Sequence, residues 1–327
     1  MLGYIIRRVL LMIPLLFGVS LLTFIIMKYA PGDPVSQMLS RAEGGGGLDG
    51  AERERLKEQL GLHRPVHIQY FLWLNQILHG NMGESLISHR PVTTLIKEKL
   101  PNTLKLAGIS LVLTLTIALP LGILSAVRQY SPIDYSLTFF SFLGISIPTF
   151  WLSLMLMYIF ALKLGFFPTR GMISFDVGPG WWEAWVDTVK HYTLPTISMT
   201  LVGLAGYMRY QRSSMLEVIR QEYIRTARAK GLSEMKVIFK HAWLNALIPI
   251  ITLLGYVFAN LVEGSVVVEL IFSWPGMGNL GISAIHQRDY PLIMGIVLLS
   301  AVMIVVGTLV SDILYAWVDP RVRYEKR

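Results

Sequence analysis

The apolar residues of the chain form six long runs that contain no Asp, Glu, Lys or Arg. The runs are Val9 to Met27, Leu106 to Val127, Tyr135 to Leu162, Tyr192 to Met208, Ala242 to Val262 and Tyr290 to Ser311. A helix of about 20 apolar residues crosses the roughly 30 Å hydrocarbon core of a bilayer, and most of the runs approach or exceed that length. A soluble domain does not readily bury six helices that are apolar on every side. We therefore predict an all-α polytopic membrane protein with six transmembrane helices.

The first run has one alternative interpretation, because Arg7 and Arg8 precede it as they would precede the core of a cleavable signal peptide. The run is longer than a usual signal core, however. A signal-peptidase site also needs two small residues at a fixed spacing, and this pattern is missing at Met27, Lys28 and Tyr29. We expect the run to remain in the protein as the first membrane helix.

The composition supports a membrane protein and narrows the chemistry. Of the 327 residues, 53% are hydrophobic and 15% are charged, whereas a soluble domain carries about 25% charged residues. The chain has no cysteine, which excludes disulfides, thiolate nucleophiles and cysteine-ligated metals. The net charge is +8, a value that by itself would suit either nucleic acid or an anionic lipid surface.

The distribution of the charges decides between these two partners. With the N-terminus inside, the cytoplasmic segments are 1–8, 128–134, 209–241 and 312–327. They hold 15 of the 29 basic residues and 7 of the 21 acidic ones, and the outer segments hold 14 of each. The whole positive excess therefore lies on one side, as the positive-inside rule requires. We expect cytoplasmic N- and C-termini, membrane lipid as a partner, and no nucleic acid.

The runs and loops together predict the domain organisation. Residues 1–29 form the N-terminal segment and first membrane helix, and residues 30–105 form an extracytoplasmic loop domain between helices one and two. Residues 106–311 form the transmembrane core with a cytoplasmic loop at 209–241, and residues 312–327 form a cytoplasmic tail. Within the outer loop, Gly44 to Gly47 is a flexible stretch, Ala51 to Leu60 is a polar helix, and Pro65 begins a helix that continues through Ile77.

The large cytoplasmic loop contains apolar residues at helical spacing. They predict an amphipathic helix from about Ser213 to Lys230 that continues membrane helix four. Arg228 and Lys230 lie in its last turn, where cations suit the helix dipole. We expect Gly231 to end the helix in a left-handed conformation.

A short second helix is predicted directly after this turn. Ser233 is its expected capping residue, with Glu234 in the first turn. Met235, Ile238 and Phe239 then form an apolar stripe on the cytoplasmic surface. Spacing alone leaves two interpretations of the stripe, as a surface that docks a partner protein or as a helix that lies in the lipid interface.

The large cytoplasmic loop contains most of the sequence RTARAKGLSEMKVIFKHAWLNALIP. It resembles the Glu-Ala-Ala-type loop in the permease subunits of bacterial ATP-binding-cassette importers, with Ala227 and Gly231 in the motif positions. Arg225 and Thr226 replace the leading Glu-Ala, a departure that fits the peptide-transport branch. Further blocks are RRVLLMIPLLFGVSLLTFIIMKYAPGDP, LGLHRPVHIQYFLWL, GNMGESL, RPVTTLIKEKLPNTLKLA, VVVELIFSWPGMGNL and DPRVRY. In order and spacing the chain is similar to the first of two permease subunits in the dipeptide, oligopeptide, nickel or glutathione importers.

This resemblance implies a type I importer permease fold in the bacterial inner membrane and a chain that is not itself an enzyme. Its partners would be a second homologous permease, two ATP-binding subunits that hold ATP and Mg, and an extracytoplasmic substrate-binding protein. The chain itself would bind no cofactor. The residues that couple it to the ATPase would be Ala227, Gly231, Leu232, Ser233, Glu234, Met235, Ile238 and Phe239. Peptide is the leading cargo, with nickel, glutathione and oligosaccharides as alternatives.

Two other classes of function remain as alternatives at this stage. A proton-coupled secondary transporter would be expected to carry ionisable groups inside its helices, and all six runs lack Asp, Glu, Lys and Arg. Asn260 and Glu263 at the outer end of helix five are the nearest candidates for the translocation pathway, or else they form an interfacial polar end. A membrane scaffold protein is the third alternative.

Two further motifs are not expected to carry chemistry. Gly276, Gly278 and Gly281 form a GxGxxG pattern after the strand-like run Val266 to Val268. No acidic residue follows at the spacing of a dinucleotide site, so we predict a turn-rich outer segment. His63 and His67 are four residues apart, but no third ligand is evident, and we expect no metal site.

Overall fold

A computed structural model describes residues 2–29, 64–174, 178, 180–251 and 265–318. Apart from an isolated antiparallel bridge between Glu84 and Pro91, these residues contain no strand pairing, which confirms the all-α prediction for this part of the chain. The helices are α1 (Leu2–Tyr29), α2 (Val66–Leu78), α3 (Val92–Val127), α4 (Pro132–Ser146), α5 (Thr149–Leu156, followed by a π-helical segment Met157–Lys163), α6 (Trp181–Ile219), α7 (Glu222–Ala229), α8 (Glu234–Lys236, followed by a π-helical segment Val237–Trp243), α9 (Leu244–Ala246), α10 (Val266–Ile271), α11 (Met277–Gln287) and α12 (Tyr290–Val318).

The candidate membrane spans agree with a membrane protein and leave the number of spans open. Helix α3 and the Tyr290–Ile313 part of α12 are each long and apolar enough to cross a bilayer. Helix α4 and the segment Thr149–Lys163 pass the same test as a bent pair, and α1 contributes a shorter apolar stretch, Leu10–Ile26. Much of the fifth apolar run lies in residues 252–264, outside the described part. The count of six helices therefore stays a prediction.

The third apolar run was expected to be one spanning helix, but it is divided into two helices and is not continuous. Helices α4 and α5 meet at an angle of 99°. Pro148 causes the break, because proline has no backbone N–H to continue the helix and forces the residue before it out of the helical region. Ile147 accordingly has extended backbone, with φ −79° and ψ 121°.

The helix predicted over Ser213 to Lys230 is also interrupted. Helix α6 ends at Ile219, and Gln221 has extended backbone, with φ −73° and ψ 148°, before α7 begins at Glu222. The apolar spacing continues through the break, which is why the pattern could not locate it. The turn at Arg220 and Gln221 lets α7 fold back, so that Ile224 and Ala227 pack on the end of α6.

The chain divides into two compact units, which we describe separately. The N-terminal unit comprises Leu2–Lys99 and Leu280–Met303, and the core unit comprises Leu100–Asn279 and Ile304–Arg327.

In the N-terminal unit, α1 and α2 pack through the buried ring of Tyr70, whose hydroxyl lies 2.8 Å from Ser20 Oγ. The helix expected to begin at Pro65 is confirmed as α2. The predicted polar helix Ala51 to Leu60 and the glycine stretch Gly44 to Gly47 lie outside the described residues. Asp289, which precedes α12, accepts hydrogen bonds from the Ser85 hydroxyl and from the backbone N–H of Leu86. These bonds fix the GNMGESL block to the start of α12.

In the core unit, α6 is the central helix, and α4 and α5 both pack against it. Small residues allow the close approach. A Cβ on Gly144 would lie 2.9 Å from Ala205 Cβ, and a Cβ on Gly122 would lie 2.7 Å from Gln211 Cβ. A larger side chain at either glycine would push the helices apart.

The segment after the fifth run also differs from the prediction. The β-branched run that begins at Val266 forms helix α10 and not a strand, and Gly278 and Gly281 lie inside helix α11. Only the short connection between these two helices is the turn that was expected. Val268 is completely buried and packs with Leu194 and Phe272 in the core unit, whereas Val267 is 41% exposed. The packing of Val268 overrides the strand preference of the run.

Candidate coupling site

The end of α7 is a regular helix stop built on Gly231. The Gly231 N–H donates to the Arg228 carbonyl at 2.9 Å, and the Leu232 N–H donates to the Ala227 carbonyl at 3.4 Å. This pair of bonds is a Schellman motif, which needs a left-handed residue after the helix. Gly231 provides it with φ +75°, so the predicted helix stop is confirmed.

An ion pair joins the two helices on either side of this turn. Arg228 on α7 donates from Nε and Nη2 to the two carboxylate oxygens of Glu234 on α8, at 3.2 and 2.6 Å. The hydrogen bond from Arg228 lowers the pKa of Glu234 and raises the pKa of Arg228. Both side chains are about half exposed, so the pair orients the turn more than it stabilises the fold.

The segment that follows Gly231 has one buried face. Val237 and Ala242 are completely buried, and Ile238 is 8% exposed. They form one apolar cluster with residues from the ends of two long helices and from α7. The cluster consists of Ile123, Ala126, Met215, Ile224, Ala227, Val237, Ile238, Ala242 and Ala246. The segment is therefore packed against the ends of α3 and α6.

The opposite face of this segment is exposed and apolar. Met235 is 66% exposed, Phe239 is 44% exposed, and Leu232 is 37% exposed. The predicted stripe of Met235, Ile238 and Phe239 is thus divided, because Ile238 belongs to the buried cluster. The reason is the π-helical segment Val237–Trp243, whose wider turn changes which residues share a face.

The remaining predicted coupling residues occupy structural positions. Ala227 is buried in the cluster. Ser233 is the residue that precedes α8, but its side chain makes no capping hydrogen bond, which corrects the expected cap. Its carbonyl accepts from the Val237 N–H at 3.0 Å.

A buried carboxylate that the sequence did not reveal lies beside this cluster. Asp134 at the start of α4 is 2% exposed and accepts from Arg212 of α6 at two positions, Nε at 2.7 Å and Nη2 at 2.8 Å. Ser125 of α3 and the Tyr130 N–H also donate to it. Asp134 thereby ties together α3, α4 and α6, and its partner Arg212 lies one helical turn before Met215 of the apolar cluster.

Sequence reasoning did not identify Asp134 as a functional residue, because an acid in the first turn of a helix is common and needs no distant partner. It is the third residue of a helix that begins with Ser131 and Pro132, where an acid interacts well with the helix dipole. Its own N–H donates to the Ser131 hydroxyl at 3.3 Å, as in any capped helix. Nothing local indicates the partner on α6.

A second buried carboxylate organises the WPGMGN block. Glu269 on α10 is completely buried. The Thr103 hydroxyl donates to its Oε1 at 2.7 Å, and the N–H groups of Gly278 and Asn279 donate to its Oε2 at 2.8 and 3.2 Å. A Cβ on Gly276 would clash with Oε1 of Glu269. The two glycines nearest Glu269 therefore leave room for its carboxylate.

Glu269 lies outside the candidate membrane spans. Its burial raises the pKa of its carboxyl group, although the three hydrogen bonds that it accepts act to lower that pKa. The sequence signal that could have identified it is an isolated acid inside the apolar block VVVELIF, just before a Gly-x-Gly pair. A buried acid needs donors, and glycine N–H groups can approach it closely.

The two predicted pathway residues, Asn260 and Glu263, lie outside the described residues.

Comparison with known proteins identifies the class to which these features belong. Residues 118–324 match the profile of binding-protein-dependent transport system inner membrane components, and residues 1–107 match the N-terminal profile for such membrane components.

The relatives share the whole length of the chain. The oligopeptide transport system permease protein AppB of Bacillus subtilis is 46% identical over 325 residues, which cover 99% of this chain and all of the relative. The dipeptide transport system permease protein DppB of Alkalihalophilus pseudofirmus is 38% identical over 338 residues, with 99% and 100% coverage. The di/tripeptide permease DppB of Pseudomonas aeruginosa is also 38% identical, with both chains fully covered.

A solved structure shares the fold. The chain resembles a chain of the inward-facing MetNI methionine ABC transporter with a TM-score of 0.53 and 16% identity, over 69% of this chain and 96% of that chain. This supports the type I importer permease fold. The relatives are permease components, so the prediction of a non-catalytic membrane subunit is confirmed. With both profiles and full-length relatives in agreement, the chain belongs to the family of binding-protein-dependent transport system inner membrane components.

Proposed function

We propose that this chain is one of two membrane-spanning subunits of an ATP-binding-cassette importer that carries di- or oligopeptides across the bacterial inner membrane. Family membership and the 46% identity to an oligopeptide permease support this assignment. Nickel, glutathione and oligosaccharides remain alternative cargoes for the same machinery.

In the proposed assembly this chain pairs with a second homologous permease, two ATP-binding subunits and an extracytoplasmic binding protein that delivers the cargo. The ATP-binding subunits hold ATP and Mg, and this chain binds no cofactor. Both termini are cytoplasmic, an orientation supported by the basic excess of the segments 1–8, 128–134, 209–241 and 312–327.

One observation supports the coupling role most strongly: the segment after Gly231 is apolar on both of its faces, and only one face is covered. Ile238 packs on the ends of α3 and α6, while Met235 and Phe239 remain exposed. A partner that holds the exposed face would displace the buried face with it. Closure of the ATP-binding subunits is thereby passed to the membrane helices, which exchange inward-open and outward-open states.

The exposed face is too small to hold the complex together alone. Full burial of Met235 and Phe239 contributes at most about 1.5–3 kcal/mol each. Association costs roughly 4–15 kcal/mol. Further contacts to the ATP-binding subunit and the second permease are therefore required, and this surface serves mainly to transmit movement.

The pathway residues are proposed on sequence grounds only. Asn260 and Glu263 stand at the outer end of the fifth apolar run, where they would contact cargo entering from the binding protein. Neither conformation needs a tight peptide site, because tight binding would slow release.

The absence of cysteine allows a direct test by cross-linking. We would introduce Met235→Cys or Phe239→Cys as the sole thiol of this chain, attach a photoreactive group to the isolated chain, and then assemble the transporter. The ATP-binding subunit is the expected cross-linked product. Ile173→Cys is the matched control, because Ile173 is 67% exposed and lies in a predicted outer loop.

Capture of lipid alone at Met235 would contradict the coupling assignment. Peptide uptake by ATP-depleted vesicles with only a proton gradient would favour a secondary transporter. Purification of the chain without any ATP-binding subunit would favour a membrane scaffold.

A further inference from the structure

A surface cavity of about 230 Å³ lies between α4 and α6. Arg209 and Ser213 in its wall are exposed, so the cavity is open to the surroundings of the protein. Its polar lining residues are Ser125, Thr138, Ser141, Arg209, Arg212 and Ser213. The coupling site described above does not use this cavity.

The charge of the lining is positive. Arg212 uses Nε and Nη2 to bind Asp134, and within the described residues its Nη1 has no hydrogen-bond acceptor. Arg209 pairs with no carboxylate in the described part of the chain, and its guanidinium carbon lies 5.9 Å from the ring centroid of Tyr210. One guanidinium charge is therefore balanced by Asp134, and the other is available for a ligand.

The position of the cavity is at the edge of the apolar layer. Ser125 is close to the end of the second apolar run, Thr138 is close to the start of the third, and Arg209 directly follows the fourth. Three runs thus reach the same boundary at the cavity. Polar headgroups lie at this depth of a bilayer.

An apolar stripe continues from the cavity along α4. Tyr135, Phe139 and Phe142 are 62%, 63% and 56% exposed, and their spacing places them on one side of the helix. Phe142 also lines the cavity. A ligand with an anionic head and an apolar chain could occupy both surfaces at once.

We propose that this cavity binds the phosphate of an anionic phospholipid headgroup. Arg209 and the Nη1 group of Arg212 donate to the phosphate oxygens, and Ser213 provides a hydroxyl group at the rim. The Thr138 hydroxyl donates to Asp134 Oδ1 at 3.4 Å. The acyl chains lie along the aromatic stripe of α4. The volume suits one small headgroup, since pockets for drug-sized ligands measure about 300–1,000 Å³, and basic pockets between membrane helices bind anionic headgroups in other proteins.

The proposal rests on the membrane location of the chain and not on its cargo. Lipid binding is measured without uptake, so a wrong cargo assignment would leave this test unchanged.

The assay is native mass spectrometry of the assembled transporter, titrated separately with phosphatidylglycerol and phosphatidylcholine. The wild-type transporter is expected to bind phosphatidylglycerol more tightly than phosphatidylcholine. Arg209→Gln should weaken this binding about tenfold, as expected for the loss of a hydrogen bond to a charged group. Arg220→Gln is the matched control, because Arg220 is exposed at the end of the same helix and lies outside the cavity lining. It should bind as wild type does.

Ser213→Trp tests the cavity without a change of charge. The indole fills the cavity entrance, so phosphatidylglycerol binding should fall as it does in Arg209→Gln. If Arg209→Gln does not fold, Ser213→Trp still tests whether the lipid binds in this cavity.

Three results would overturn the proposal. Equal losses in Arg209→Gln and Arg220→Gln would mean diffuse attraction to anionic lipid. Displacement of phosphatidylglycerol by millimolar inorganic phosphate, with equal affinity for both, would mean a site for free phosphate. A cross-link from Ser213→Cys to another protein chain would mean that a subunit covers the cavity.

Discussion

Gly231 holds φ at +75°, and no other atom would lie within 4 Å of a Cβ at this position. The requirement for glycine is therefore conformational and not steric. A non-glycine residue in this region costs roughly 1–2 kcal/mol, and Asn tolerates it best.

Gly231→Val should disrupt the turn and uncouple ATP hydrolysis from transport, because a β-branched residue strongly disfavours the left-handed region. Gly231→Asn should retain most activity. Uptake and substrate-stimulated ATPase activity of the reconstituted transporter measure both effects. Both variants should insert into the membrane as well as the wild type does. If the two variants behaved alike, the backbone conformation would not be the reason for glycine.

Glu269 is the second residue with a specific requirement, because three donors point at its carboxylate. Glu269→Ala leaves the Thr103 hydroxyl and two backbone N–H groups without an acceptor, which should cost roughly 2–4 kcal/mol. Glu269→Gln should cost less, since its amide oxygen can still accept from Gly278 and Asn279. Thermal unfolding of the detergent-solubilised transporter measures the stability of both variants, and Glu269→Ala should unfold at the lower temperature.

The same residue predicts a pH effect. Burial raises the pKa of Glu269, so the folded state holds the proton more tightly than the unfolded state. Stability should therefore fall as pH rises from the ordinary glutamate value through the raised pKa. Glu269→Gln should remove this slope, and an unchanged pH profile in that variant would contradict the assignment.

At the scale of helices, the Asp134–Arg212 pair joins α4 to α6, and Ser125 of α3 donates to the same carboxylate. Removing one partner of a buried ion pair leaves an uncompensated charge and typically costs 3–5 kcal/mol, whereas removing both costs much less. Since the Arg212 side chain is 27% exposed, the cost here should lie below that range.

Asp134→Asn and Arg212→Gln should each destabilise the transporter, and the double variant should be more stable than the sum of the single effects predicts. Thermal unfolding gives the coupling free energy of this double-mutant cycle. Strict additivity would mean that the pair does not connect α4 to α6. Arg228→Gln is a useful comparison, because its exposed pair with Glu234 should contribute only about 0–1 kcal/mol.

At the scale of the whole molecule, the charge distribution predicts the orientation in the membrane. Tyr130 lies in a predicted inner loop and Leu78 in the predicted outer domain, and they are 69% and 76% exposed. In intact cells, a membrane-impermeant maleimide should label Leu78→Cys and leave Tyr130→Cys unlabelled until the membrane is permeabilised. The reverse pattern would invert the topology and move the coupling segment outside.

Predictions from the sequence agree best with the structure where a feature depends only on residues that are neighbours in the chain. The turn at Gly231, the helix after Pro65 and the apolar lengths of α3 and α12 depend on neighbouring residues. The break between α4 and α5 had a visible cause in Pro148, but a proline can kink a helix or end it, and only packing selects the 99° angle. Ile238 was assigned to the wrong face because the π-helical turn changes the period on which that assignment depended.

The sequence by itself determined a membrane-embedded helical subunit, an uneven distribution of charge among its loops, a helix stop at Gly231 and, through its motif blocks, the class of permease. Apolar length, charge asymmetry and glycine conformation are properties of short segments, so no tertiary contact is needed to read them. The tertiary structure alone decided which face of the segment after Gly231 is covered and which groups bind the buried acids Asp134 and Glu269. Arg212 is 78 residues from Asp134, and Thr103 is 166 residues from Glu269, and no local pattern specifies contacts made at such separation.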